Sequence, residues 1–225
     1  MRMGILAIKV GMTQIFDETG AVVPVTVLDA SGCYITQVKT KQKEGYNALQ
    51  VGLGKRKPQN VKKVAAGHFK KAGVAATAKI KEMRLSPDDN LSHLTAGTAL
   101  SVSMFAKGDR VDAIALSRGL GFQGVMKRHG YHGADASHGV HEYFRHGGSN
   151  GTNTFPGRTL KLKGMPGRMG GDKVTVPNLL VVDVREKENL IFVRGAVPGF
   201  KSNPVLLRIG KKAKNQPTDR KWTSA

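Results

Sequence analysis

The stretch Asp109-Arg110-Val111-Asp112-Ala113-Ile114-Ala115-Leu116-Ser117-Arg118-Gly119-Leu120-Gly121-Phe122-Gln123-Gly124 holds the change of character that decides the fold. Its first part follows a Gly108-Asp109 turn, and Val111, Ala113 and Ala115 alternate with Arg110, Asp112 and Ile114 in an imperfect period of two. That pattern predicts a strand. From Gly119 the apolar period stops and glycine takes over. The strand rhythm returns only near Val174, so one β body is interrupted by an insertion.

Working outward, β-branched runs at Gly4–Val10, Val22–Asp29, Cys33–Thr40 and Tyr46–Gly52 are punctuated by Gly20, Gly32 and Gly45. Thr98–Phe105 and Arg110–Leu116 follow, then Val174–Val184, Leu190–Arg194 and Pro204–Ile209. About nine short strands with turn signals between them predict a closed or nearly closed barrel. The strands on either side of the insertion are too few to build separate cores. Residues 55–84 break the rhythm: Val61, Val64, Ala65, His68 and Phe69 lie on one helical face, with Gly73 placed to end the helix. The expected fold class is mainly β (α+β): a β-barrel body with a basic, partly helical insertion and a long Gly-rich extension. The expected divisions are a body over 1–118 and 172–210, containing the 55–84 insertion, an extension over 119–171 and a basic tail over 211–225.

Charge sharpens this division. The 225 residues carry 36 Lys+Arg against 16 Asp+Glu, a formal charge of +20. Residues 55–84 carry ten basic side chains against Glu82 alone; residues 118–175 and 201–225 each carry six net positive charges. The remaining segments are close to neutral. Concentrated charge of this size calls for a polyanionic partner, nucleic acid before an anionic membrane face. A hydrophobic fraction of 40% is enough for a real core and excludes wholesale disorder. No apolar run approaches the ~20 residues needed to span a bilayer, and Met1–Phe16 resembles neither a secretory nor a transit leader. Cys33, the single cysteine, excludes an internal disulfide and a Cys-rich zinc module, and fits a reducing compartment.

Residues 119–171 hold 14 of the 28 glycines and five of the seven histidines, with few aliphatic residues and no period among them. Such a segment lacks its own core, and ordering each residue costs about 1–2 kcal/mol, so a surrounding partner is expected to order it. Arg and His can meet phosphate, while Phe122, Tyr131, Tyr143, Phe144 and Phe155 offer faces to unpaired bases. Three sharper chemistries fit less well. Gly119-Leu120-Gly121-Phe122-Gln123-Gly124 matches the dinucleotide fingerprint, but Val125–Gly130 does not read as a helix and no βαβ pattern surrounds it. His129/His132 and His138/His141 have metal-ligand spacing, yet floppy glycine lies between them and no cysteine is near. Ser137-His138 is mere adjacency, and Cys33 reads as a small buried apolar residue.

The residues that remain carry a resemblance. Phe105, Asp112, Ala115, Ser117, Gly119-Leu120-Gly121, Gly124 and Arg128, at their spacing, resemble the signature of the universal family of ribosomal protein three of the large subunit. Gly4-Ile5-Leu6, Lys9–Phe16, Val23–Val27, Thr36–Lys39, Ala66–Phe69, Asp135–Gly139, Pro156-Gly157-Arg158, Met165–Gly170 and Val193–Gly199 extend the likeness in one order, with bacterial-type spacing. The resemblance implies a barrel body of the kind shared with translation factors. It also implies an extension running through rRNA toward the peptidyl transferase centre, early binding to large-subunit (23S) rRNA, and ribosomal proteins fourteen and nineteen as neighbours. Two positions depart from the family pattern. Leu120 stands where a basic residue is usual, and Gly151–Phe155 contains no glutamine of the kind methylated in some relatives.

The expected rRNA contacts in the extension are Arg118, Lys127, Arg128, His129, His138, Arg145, His146, Arg158, Lys161, Lys163, Arg168 and Lys173, with the tip at Thr152, Asn153, Thr154 and Phe155. In the body they are Lys9, Lys55, Arg56, Lys57, Lys62, Lys63, Lys70 and Lys71, and Lys211, Lys212 and Lys214 extend the set into the tail. No catalytic residue, metal, cofactor, small-molecule substrate or membrane is expected, and the expected location is the cytoplasm, in the large ribosomal subunit. The competing functions are a non-ribosomal RNA chaperone and a His-metal enzyme.

Overall fold

A computed structural model describes residues 4–85 and 94–210. The tail 211–225, with Lys211, Lys212 and Lys214, and residues 1–3 lie outside the described residues. In chain order the elements are β1 (Gly4–Phe16), β2 (Val22–Asp29), β3 (Cys33–Lys39), α1 (Lys41–Glu44), β4 (Ala48–Lys55), α2 (Lys63–Ala72) and β5 (Thr77–Arg84). Then come β6 (Arg110–Leu116), β7 (Gly121–Gln123), α3 (Val125–His129), β8 (Gly167–Met169), β9 (Lys173–Arg185), β10 (Leu190–Arg194) and β11 (Pro204–Ile209). Two compact units result, one made of the described residues up to Leu116 and from Lys173 onward, the other of Ser117–Asp172.

In the first unit six strands close a barrel in the order β1-β11-β6-β9-β10-β2. β6 pairs with β9 through Ala113↔Val176 and with β11 through Ala113↔Leu207, while β1 closes the ring against β2. Strands from before and after the insertion are thus interleaved, and neither set closes alone. The interior is solid: Ile5, Ala7, Leu28, Val111, Ala113, Val181, Ile191, Val205 and Leu207 are fully buried. Ala113 opposite Leu207 and Ala7 opposite Val205 alternate small and large side chains, which suits the filled interior of a small barrel. A second sheet, β3-β4-β5, brings Cys33, Ile35, Leu49, Val51 and Leu53 into the same core. Gly52 lies beside buried Thr77, where a Cβ would overlap the threonine side chain.

The imperfect alternation of β6 has a physical cause. Asp112, on the face away from Val111 and Ala113, is also buried, because the Arg208 guanidinium donates to its Oδ2 at 3.1 and 3.2 Å. The Asn178 amide donates to Oδ1 at 3.1 Å. Both faces of the strand are covered, so polarity does not mark the outer one.

Some sequence expectations need correction. Thr98–Phe105 is not a strand: one bridge, Tyr34↔Ala99, precedes a 3-10 turn over Val102–Met104. Ser101 Oγ accepts from the Ser103 amide at 3.2 Å and starts that turn, while Val102, Met104 and Phe105 enter the core. In 55–84 the helix ends at Gly73 in the left-handed conformation, as its placement predicted. However, Val64 is 88% exposed, and only Phe69 and Ala72 of α2 are buried. The segment also contains β5, whose Lys79 and Lys81 are exposed and whose Thr77 and Met83 are buried. Lysines along an edge strand hid its period. Among the described residues no helix is long and apolar enough to cross a membrane.

Burial pushes the Cys33 thiol up to about 12, so it should resist thiol reagents at pH 8 until the barrel unfolds. Leu207→Ala should cost about 2–5 kcal/mol in denaturant unfolding. Asp112→Ala should cost about 2–3 kcal/mol by the same measurement, since it leaves Arg208 half-buried without its partner.

Candidate nucleic-acid interface

The unit Ser117–Asp172 has almost no apolar interior. Val125 is its one buried hydrophobic residue among those described, at 8% exposure, whereas Phe122, Tyr143, Phe155, Leu160 and Leu162 are well exposed. Backbone geometry and a few polar fasteners define its shape. β7 and β8 pair antiparallel, Gly121↔Met169 to Gln123↔Gly167. The Leu120 amide donates to the Met169 carbonyl at 2.9 Å, and the Ala134 amide to the Phe144 carbonyl at 3.0 Å. Gly170 has φ +73°, and a Cβ there would collide with the Arg118 carbonyl. Contrary to the sequence reading, Val125–His129 forms a short helix, ended by Gly130 in the left-handed conformation. Five residues and an antiparallel ribbon still do not make the βαβ unit a dinucleotide site needs.

Two of the expected contact residues serve the unit itself. Arg128 Nη1 and His129 Nε2 both donate to the Met165 carbonyl, at 2.6 and 3.0 Å. Gly164 and Gly167 flank that carbonyl, and a Cβ on either would meet the His129 ring or the Arg128 guanidinium. His146 stacks on Tyr143 at 4.4 Å between ring centres. His138 takes a positive φ of 57° in an exposed turn. Thr152 Oγ1 donates to the Phe155 carbonyl at 2.7 Å, which folds Thr152, Asn153, Thr154 and Phe155 into a turn with the Phe155 ring 88% exposed. Arg118, Lys127, Arg145, Arg158, Lys161, Lys163 and Arg168 are exposed and, within the described residues, make no ion pair. No three His, Cys, Asp or Glu side chains converge on a metal position among the described residues.

In the other unit, Lys173 opens β9 and is exposed. Lys55, Arg56, Lys57, Lys62, Lys63, Lys70 and Lys71 are exposed around the end of β4 and along α2. Lys79 and Lys81 on β5 join them; the charge run signalled them, but the missed strand concealed that they share a face. Glu82, the one acid of 55–84, is already engaged. Lys39 Nζ binds its Oε1 at 2.5 Å and Tyr46 OH donates to its Oε2 at 3.0 Å. Those bonds hold the Glu82 carboxyl below its usual range and raise the Lys39 ammonium above its own. The local lysines therefore face solvent without a competing carboxylate from their own segment. Lys9 differs: its ammonium donates to the Val197 and Gly199 carbonyls at 2.6 and 3.2 Å, so it fastens a loop.

Comparison with known proteins bears on this arrangement. The family model described as Ribosomal protein L3 matches residues 87–189. Large ribosomal subunit protein uL3 of Lawsonia intracellularis is 47% identical over 202 residues, covering 90% of this chain and 95% of the relative. The uL3 proteins of Akkermansia muciniphila and Thioalkalivibrio sulfidiphilus are each 46% identical over 94–95% of this chain and all of their own length. The chain belongs to the ribosomal protein L3 family. The matched span of the L3 family model includes β6 to β9 and takes in all of Ser117–Asp172.

The Lys39–Glu82 pair sets a pH dependence with a defined sign. Glu82, with its carboxyl lowered, contributes stability above the ordinary carboxylate range and loses it as pH falls through the lowered value. Lys39, raised, contributes below the ordinary lysine range and loses it as pH rises through the higher value. Thermal unfolding of Glu82→Gln should thus show a small deficit at neutral pH that disappears on acidification.

Proposed function

We propose that this L3-family chain is a structural constituent of the large ribosomal subunit that binds large-subunit (23S) rRNA through Ser117–Asp172 and the basic flank 55–84. It helps nucleate subunit assembly and sends the glycine-rich extension toward the peptidyl transferase centre, with ribosomal proteins fourteen and nineteen as its neighbours in the cytoplasmic particle. Its role is structural and not enzymatic. The observation that carries this reading is a unit with one buried hydrophobic residue and seven exposed cations that make no ion pair among the described residues. A chain with so little apolar burial gains its binding energy by neutralising phosphate, and exposed rings beside the cations suit unpaired bases.

Binding to 23S rRNA should weaken steeply with salt, each phosphate contact adding roughly 0.7–0.9 to the slope of log K against log[salt]. Lys161→Ala combined with Lys163→Ala should lower that slope by roughly 1.5; a flat response in the parent would overturn the electrostatic basis. Deleting Leu120–Gly170 should leave the barrel's cooperative unfolding intact while large-subunit maturation, followed by sucrose-gradient profiles, is impaired. Loss of the barrel on deletion would place the insertion in the core instead.

A further inference from the structure

Within Ser117–Asp172 lies a cavity of about 430 Å³ whose walls include Tyr131, His132, Gly133, Tyr143, His146 and Gly147. Its size falls within the range of small-molecule pockets, and its lining is mostly apolar, made of rings, glycine and alanine. The lining contains no carboxylate, and its large surfaces are rings. Tyr143 and His146 stack with 26° between their planes, and Tyr143 remains 67% exposed, so the ring pair offers an outer face. Lys163 Nζ sits 5.6 Å from the centre of the Tyr131 ring. The two walls are tied by the Ala134 amide to the Phe144 carbonyl, an approach possible because Gly133, at φ +78°, has no Cβ to strike that carbonyl. The backbone amides of Tyr131, His132, Gly133 and Gly147 make no hydrogen bond within the described residues. Ring faces beside unused donors match an object that is flat, aromatic and rimmed by acceptors.

We propose that this cavity takes one unpaired nucleobase of the rRNA, stacked on the Tyr143–His146 pair, with its edge toward the free amides of Tyr131, His132 and Gly133. This rests on the rRNA-binding role proposed above and adds a point of base recognition to a surface that otherwise holds phosphate. The base belongs to the RNA chain, since only a tethered nucleotide brings a neighbouring phosphate to Lys163 beside the Tyr131 ring.

Stacking and phosphate contact leave different marks on a salt series: stacking shifts affinity equally at every salt concentration, while a phosphate contact changes the slope. Full-length Tyr143→Phe, Tyr143→Leu and Lys161→Ala are therefore compared with the parent for binding to large-subunit rRNA. Tyr143→Phe should bind like the parent. Tyr143→Leu should bind on the order of tenfold more weakly throughout, with unchanged slope, and Lys161→Ala should lower the slope. The exposure of Tyr143 makes misfolding a poor explanation for a parallel shift, and an unchanged circular dichroism spectrum would verify that. Parent-like binding of Tyr143→Leu at all salts, or equally tight binding of a free mononucleotide, would overturn the pocket. Absence of salt-dependent rRNA binding by the parent would instead overturn the rRNA-binding role itself.

Discussion

The pairing of β6 with β9 on one side and β11 on the other is the constraint on which the rest depends. It unites strands that flank the glycine-rich segment into one closed ring, and it sets Leu116 opposite Lys173. Closing so long a loop costs entropy, but the cost grows only slowly with length. The fully buried Val111, Ala113, Val181 and Leu207 supply the compensating apolar burial. With the chain ends held in register, the inserted segment needs no hydrophobic core to keep its place in the sequence of elements. It is free to carry charge and glycine.

The two units solve opposite physical problems. In the barrel unit, the charged groups drawn toward the interior are matched: Asp112 by Arg208 and the Asn178 amide, Lys9 by two carbonyls. In Ser117–Asp172 the fasteners are carbonyls and rings, and most cations are left for a partner. Using Arg128 and His129 to grip one carbonyl is economical, because each can shape the unit with one nitrogen and still present positive or polar character outward.

Much of the barrel was legible because its strands obey local rules. The bounds of Val22–Asp29, Arg110–Leu116, Leu190–Arg194 and Pro204–Ile209 coincide with the observed strands. Where tertiary context decides, local rules fail. The apolar run through Val102 becomes a turn because Ser101 caps it, and β5 was hidden because an edge strand can expose five residues in succession. β1 runs on to Phe16, past a bulge between Lys9 and Gly11 that the amino acids alone do not announce. For the candidate interface, residue type and charge density were readable, and so was membership of a basic stretch. What an isolated side chain does there was not. Nothing in sequence separates Arg128 and His129, bonded to the Met165 carbonyl, from Lys127, which makes no ion pair among the described residues. The ring-lined cavity depends on Gly133 letting two distant segments touch, which no spacing rule encodes.

Interleaving in the barrel also governs how the molecule is born. Synthesis proceeds from β1 onward, so β1, β2 and β6 emerge first, and the glycine-rich polycation follows before β9, β10 and β11 exist. During that interval β1 can pair with β2, but β6 has neither of its ring neighbours, and strand edges stay unsatisfied while the positive charge is already made. The final strands retire those edges, whereas the positive charge outlasts synthesis and stays available to a polyanion.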